Sequence, residues 1–272
     1  MAQTAPALPA GPGQPVAPLG VFDALGMGWR LMMSDFWVLW LPAFVVMLII
    51  MGASNFGLVA AVLVQPPLWA GLYWLVTRKI DGAPVKLGDV FEGFQQRFGQ
   101  SVLAMLPVSL AGMVFVLAIV AVILATMLGI AAVAEGSHGN EGAVAVVALL
   151  GVLVGGVTLL VLLAAILIFC LFFTFVLPAV WDHPESGWEA VRTSAKLVRG
   201  RFWSVLGLTV LLFLITLAAN LVGMLVCCIG IFFTTPVVMV WQAAAVTYLY
   251  RSWTGRPLVQ PLAVAATPDA PV

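Results

Sequence analysis

Residues 101–133 read SVLAMLPVSLAGMVFVLAIVAVILATMLGIAAV and contain no charged side chain. About 20 helical residues cross the hydrocarbon core of a bilayer, so this run is more than long enough to span a membrane. The whole chain has the same character, because 63% of its residues are hydrophobic and its mean hydropathy is +1.16. Only 8% are charged, against about 25% in soluble domains. The sequence therefore predicts an all-α, polytopic integral membrane protein.

The positions of the eleven Lys and Arg residues predict how the chain is threaded. Three long stretches, 31–77, 98–191 and 202–250, contain neither residue. Because loops rich in Lys and Arg stay in the cytoplasm, each stretch is expected to cross the membrane and return. This predicts six transmembrane helices, with both termini on the cytoplasmic side of a bacterial-type inner membrane. The expected spans are 37–54, 56–78, 101–133, 143–180, 203–226 and 229–250.

The two ends of the chain differ from the part between them. Residues 1–20 and 258–272 consist mainly of Ala, Pro, Gly and Val with almost no charge. Such segments bury no core, and we expect both to be disordered tails. The transmembrane domain is then expected to cover residues 21–257.

A segment with helical periodicity and one polar face precedes each pair of spans. The three segments end in similar junctions, Asp35-Phe36-Trp37, Arg97-Phe98-Gly99 and Arg201-Phe202-Trp203. We expect three cytoplasmic amphipathic helices at the membrane interface and a degenerate threefold repeat of helix, span out and span back. The expected apolar stripes are Phe22, Leu25, Trp29, Met32 and Phe36, then Leu87, Val90, Phe91, Phe94 and Phe98, then Trp188, Val191, Ala195, Val198 and Phe202.

Prolines occur in every returning span, at Pro66-Pro67, Pro178 and Pro236. Each removes a backbone hydrogen bond, and in a membrane a neighbouring polar group must fill that gap. The expected fillers are Thr174, Thr234 and Thr235. The third and fourth spans are longer than a bilayer requires, and the expected positions of bends in them are Pro107 and Gly155-Gly156.

Few polar side chains lie at membrane depth, and three of them are amides. Gln65, Asn220 and Gln242 are candidates for contact with a solute carried among the proline-containing helices. The alternative is that they join helices by hydrogen bonds, as in ordinary membrane bundles.

The third amphipathic segment carries a basic face. Arg192, Lys196 and Arg199 follow the i, i+4, i+7 spacing of one helix face, and Arg201 follows them. Like charges at this spacing repel one another, whereas an anionic leaflet attracts basic residues near its surface. The pattern predicts contact of these four residues with anionic lipid headgroups. The alternative is that the bases only enforce the topology and remain solvated.

No arrangement typical of catalysis or metal binding is present in the sequence. His138 and His183 are expected on opposite sides of the membrane, so they cannot share a metal ion. No nucleophile and base pair, phosphate-binding loop or zinc motif appears. We expect a non-enzymatic protein with no cofactor, no metal and no nucleic-acid partner, which has membrane lipids as its partners.

The segments Pro67-Leu68-Trp69-Ala70-Gly71, 81–85 and 88–98 resemble the P-L-x-x-G, G-x-x-V and D-x-F-x-G-F core of uncharacterised bacterial six-helix membrane families. Those families are related to the membrane domain of glycerophosphodiester phosphodiesterases. The resemblance implies the six-helix fold over residues 20–255. It implies no phosphodiesterase activity, because the catalytic histidines and metal-binding carboxylates have no counterpart here. Within this core, Gly93 is expected to mark a close approach between helices, which would offset its low helix propensity.

Two functions are compatible with these features. The first is a membrane module that senses, organises or scaffolds lipid or protein partners through its cytoplasmic helices. The alternative is a transporter or permease for an apolar or zwitterionic solute.

Overall fold

A computed structural model describes residues 19–136, 141–183, 186–225 and 229–256. Within these ranges all regular secondary structure is helical. The tail 258–272, most of the tail 1–20 and His138 lie outside the described residues. The helices are α1 Val21–Ser34, α2 Phe36–Asn55, α3 Leu58–Ile80, a 3-10 helix Leu87–Phe91, α4 Glu92–Gln96, α5 Phe98–Gly136, α6 Glu141–Leu171, α7 Val176–Asp182, α8 Gly187–Gly200, α9 Phe202–Leu225 and α10 Ile229–Thr254.

Six helical segments are long and apolar enough to cross a membrane. They are α2, α3, α5, the pair α6 and α7, α9 and α10. The predicted six-span, all-α architecture is therefore confirmed, and the chain is a multi-pass membrane protein.

The fourth span is broken just before Pro178, where the sequence indicated a lost backbone hydrogen bond, and not at Gly155-Gly156. We expected one helix over 143–180 with its bend at Gly155-Gly156, but α6 is continuous there and ends at Leu171. Tight turns over 172–175 follow, with the Phe173 amide donating to the Cys170 carbonyl at 3.0 Å. Pro178, in the first turn of α7, accounts for the break because its missing N–H cannot continue the ladder. Pro107 lies inside the single helix α5.

The polar group at this break comes from another helix. The Ser194 hydroxyl of α8 donates to the Phe172 carbonyl at 2.6 Å and accepts from the Phe175 amide at 3.2 Å. Our expectation that neighbouring threonines fill the proline gaps was wrong. Within the described residues no side-chain hydrogen bond involves Thr174, Thr234 or Thr235, and the Thr234 hydroxyl is buried without a partner.

The three junctions have the same backbone geometry. Asp35, Arg97 and Arg201 adopt φ, ψ values of −140°, 60°, then −133°, 20°, then −143°, 42°. The carbonyl of each accepts a hydrogen bond from the amide four residues later, at 3.2, 2.9 and 3.1 Å. The side chain of each also contacts the returning span of its own unit. These contacts are an ion pair of Asp35 with Lys79, Arg97 over the ring of Trp181 and Arg201 over the ring of Trp253.

Packing between units follows a cyclic order. The helix that opens each unit packs on the returning span of the preceding one: α1 on α10, the 3-10 helix and α4 on α3, and α8 on α7. The returning helices α3, α7 and α10 also contact one another. One sector is looser, because α9 packs closely on α10 but barely touches α6. The threefold repeat expected from the sequence thus appears as a repeated set of contacts.

The opening helices bury small residues together with part of the stripes expected from the sequence. Leu25, Met32, Val90 and Val198 are buried as expected, but no aromatic residue of the stripes is fully buried. In α8 the buried residues are Gly187, Ala190, Ser194 and Val198, whereas Trp188 is exposed. In α1, Phe22 is 79% exposed and Gly28 packs so closely that an added Cβ would lie 3.0 Å from the Ala245 nitrogen. Small side chains at these positions allow the backbones of the opening helices to approach the bundle closely. The stripe prediction was therefore correct for part of each stripe and wrong for the exposed aromatic residues.

Gly93 is a close-approach position, as expected. A Cβ there would lie 2.0 Å from the Pro67 carbonyl oxygen, and a Cβ on Gly71 would lie 1.7 Å from the Val90 oxygen. The two glycines of the P-L-x-x-G and F-x-G-F segments therefore fit against each other's helices, with no room for any other residue at either position.

Candidate functional site

The three predicted solute-contact residues line one cavity. Gln65 of α3, Asn220 of α9 and Gln242 of α10 surround a space of about 290 Å³, together with Thr216 and Thr235. The rest of the wall is apolar and includes side chains from α2. The residues that line the cavity include no charged side chain and no residue of α5 or α6. The residues are far apart in the sequence, and only the packing of α3, α9 and α10 brings them together.

The three amides differ in their hydrogen bonds. The Gln242 side chain donates to the Thr216 hydroxyl at 2.6 Å, and that hydroxyl donates to the Leu212 carbonyl at 2.7 Å. Gln242 therefore joins α9 to α10, as the helix-joining alternative requires. Gln65 and Asn220 form no side-chain hydrogen bond with any described residue. Two amides at the cavity are thus free to bind another molecule.

The predicted basic face of α8 is exposed. Arg192, Lys196 and Arg199 point away from the bundle, since the first two lie two positions either side of buried Ser194, about 200° around the helix. None of the three forms an ion pair with a described residue. The acid on the same helix, Glu189, lies 3.9 Å from His183 instead. The face therefore carries three positive charges that pair with no acid in the described part of the chain.

Arg201 differs from the other three predicted lipid-contact residues. Its guanidinium lies 4.8 Å from the ring centre of Trp253, a cation–π contact that ties the start of α9 to the end of α10. Beside it, Trp203 is 80% exposed. The structure thus separates a free basic face of three residues from a fourth base that has a role in packing.

Ion pairs join the ends of the returning spans, and the sequence did not predict them. Arg251 is only 8% exposed and binds Asp81 with two contacts, at 2.5 and 2.8 Å. Asp182 accepts from the Tyr250 hydroxyl at 2.6 Å and pairs with Arg256 at 2.7 Å. These pairs connect α3 and α7 to α10. The only feature of the sequence that pointed to these ion pairs was the position of the charged residues, which lie in or just after the last turn of a span.

His183 has a local structural role. Its Nε2 lies 3.1 Å from the Thr193 hydroxyl of α8, close to the Glu189 contact. Within the described residues, no group of three His, Cys, Asp or Glu side chains is placed to hold a metal ion.

The chain was compared with known proteins. The model of a protein family described as "Domain of unknown function (DUF7847)" matches residues 29–265. No curated protein and no solved structure matches the chain. The matched region includes α2 to α10 and both candidate sites.

Proposed function

Since the chain belongs to the DUF7847 family, whose function is unknown, we propose from its structure that it is a non-enzymatic module of a bacterial inner membrane. It holds anionic lipid at the cytoplasmic leaflet through the outer face of α8. We also propose that the fold resembles that of the membrane domains of glycerophosphodiester phosphodiesterases. This part of the proposal concerns the fold alone.

The observation that carries this proposal is the unpaired charge on α8. Arg192, Lys196 and Arg199 repel one another by roughly 0.2–0.5 kcal/mol per pair in water. An anionic leaflet contributes about 1 kcal/mol per basic residue near its surface, which outweighs that repulsion. The helix is also held rigidly, because Ser194 bonds its opposite face to the break in the fourth span. A fixed, charged face favours binding since little side-chain and backbone freedom remains to be lost.

The proposal is tested with the full-length protein in bilayers of phosphatidylcholine and phosphatidylglycerol. Electron spin resonance of spin-labelled lipids measures which lipid the protein immobilises. We expect the wild-type protein to prefer phosphatidylglycerol, and the preference to fall at high salt. Changing Arg192, Lys196 and Arg199 together to Gln should lower the relative association constant more than tenfold, on the order of what three such charges supply.

The matched control changes Arg30 and Lys86, exposed bases outside α8, to Gln. We expect this variant to keep most of the wild-type preference. Equal lipid preference in the wild type and the α8 variant, both eluting as folded protein, would contradict the proposal.

Transport of a solute is the second candidate, and the cavity at Gln65, Asn220 and Gln242 is the observation in its favour. A permeation path would have to open the ends of the returning helices, where buried Arg251 binds Asp81 and Tyr248 is fully buried. The module is preferred because this end of the bundle is packed and joined by ion pairs. A zwitterionic solute fits the cavity poorly, because no charged residue is among those that line it.

A further inference from the structure

The cavity has the chemistry of a binding site that accepts a molecule from the bilayer. Its apolar wall consists of Met47, Ile50, Met51, Trp69, Val238 and Met239. Methionine side chains are flexible and polarisable, so such a wall adapts to hydrocarbon of varied shape. The exposed spans α5 and α9 show that much of the molecule faces lipid. A molecule with at least one hydrocarbon chain therefore suits the wall.

The amides of Gln65 and Asn220, which have no partner among the described residues, require a polar group on the bound molecule. An amide without a hydrogen-bond partner in hydrocarbon raises the free energy of the folded protein. Gln65 and Asn220 both lie within candidate spans and have no side-chain partner among the described residues. Each offers a carbonyl acceptor and two N–H donors. Their complement is a group that both donates and accepts, such as a hydroxyl beside a carbonyl.

The charge and size of the cavity further restrict the chemical class of the ligand. Its lining residues carry no charge, and a phosphate or carboxylate without a counter-charge is costly to bring to membrane depth. The volume of about 290 Å³ lies just below the usual range for ligand sites, roughly 300–1,000 Å³. The space thus fits a small head and the first carbons of its chain, with the remaining chain among the lipids.

We propose that the cavity lined by Gln65, Asn220 and Gln242 binds the uncharged, hydroxyl-bearing head of an amphiphile of the acylglycerol class. Gln65 and Asn220 bind the hydroxyl and ester groups, while Gln242 holds α9 and α10 together through Thr216. The site lies on different helices from the basic face of α8, so this inference goes beyond the proposed function. If the test of the lipid contact at α8 fails, the proposal for the cavity is unaffected, and the reverse also holds.

The test uses native mass spectrometry of the full-length protein in detergent, titrated with three probes. Monooleoylglycerol has the head and the chain, methyl oleate has the chain and an ester but no hydroxyl, and glycerol has the head alone. We expect one monooleoylglycerol to bind saturably, methyl oleate to bind at least tenfold more weakly, and glycerol not to bind. This comparison uses only the wild-type protein, so it does not depend on the folding of a variant.

Variants then locate the site. Gln65→Leu with Asn220→Leu should weaken monooleoylglycerol binding about tenfold, the loss expected for two ordinary hydrogen bonds. The matched control is Asn55→Leu, since the Asn55 amide donates to the Met51 carbonyl of its own helix and does not line the cavity. We expect this control to bind like the wild type.

Three outcomes would overturn the proposal. Equal binding of methyl oleate would mean that the site recognises hydrocarbon alone. Equal binding of glycerol would mean that a free solute, rather than an amphiphile, is the ligand. Unchanged monooleoylglycerol binding in the double variant would place the ligand elsewhere.

Discussion

At the scale of single residues, Ser194 has the most specific structural role. Its hydroxyl serves both backbone groups that the break before Pro178 leaves open, at Phe172 and Phe175. The sequence indicated that a polar side chain should fill such a gap but not which one. Ser194 lies 22 and 19 residues from its two partners, and no local pattern reports a contact of that length. The threonines nearest to the prolines were therefore a reasonable but incorrect choice.

Removing the Ser194 hydroxyl should destabilise the fold. Ser194→Ala leaves the buried Phe175 amide and the partly buried Phe172 carbonyl unpaired, which costs about 1–3 kcal/mol. Thermal unfolding in detergent measures the loss. Ser54→Ala is the control, because the Ser54 hydroxyl is exposed and donates only within its own helix, and a change below about 0.5 kcal/mol is expected. Equal stability of both variants would mean that Ser194 is not the group that holds the break.

The amide residues show how far the sequence predicts a site. Gln65, Asn220 and Gln242 were singled out because polar groups are rare at membrane depth, and the structure places all three around one cavity. The sequence offered joining helices and contacting solute as alternatives. Gln242 joins two helices, through Thr216, whereas Gln65 and Asn220 have no hydrogen-bond partner among the described residues.

At the scale of helices, close contacts with the backbones of the returning spans determine how the opening helices dock. Gly28, Val90 and Ser194 each lie seven positions before a junction residue, and each meets the backbone of a returning span. Amphipathic periodicity correctly predicted that helices would form here. It predicted only part of their buried faces, such as Leu25, Val90 and Val198. It did not predict the close contacts at Gly28 and Ser194, because periodicity ranks residues by hydrophobicity and these contacts depend on small size.

Filling one of these contacts should weaken the docking of α4. Gly93→Ala would place a Cβ 2.0 Å from the Pro67 oxygen, and such overpacking typically costs 1–3 kcal/mol. We expect a lower thermal midpoint and a lower folded yield on size-exclusion chromatography. Gly99→Ala is the matched control, since a Cβ there meets no atom within 4 Å and Ala favours the helix by about 1 kcal/mol. If Gly93→Ala were as stable as Gly99→Ala, the close approach would not be a constraint on the fold.

At the scale of the whole molecule, hydropathy and Lys and Arg positions were sufficient to predict six spans. They were not sufficient to predict the cyclic order of contacts, in which α1 packs on α10 across nearly the full length of the chain. Such contacts depend on shape and on side chains far apart in sequence. The loose sector between α6 and α9 was also not predicted, because hydropathy, which is highest in the spans of the α5–α6 hairpin, does not report how tightly a span packs on its neighbours.

The orientation of this bundle is the claim on which the proposed lipid contact of α8 depends. Reporter fusions after Gly57, Gly139 and Gly230 measure one side of the membrane, and fusions at Gly82, Gly187 and Gly255 measure the other. The account predicts that the first three report the outside and the last three the cytoplasm, because every Lys and Arg then lies on the cytoplasmic side. A cytoplasmic signal at Gly139 would contradict the account, since the hairpin of α5 and α6 would then not cross the membrane.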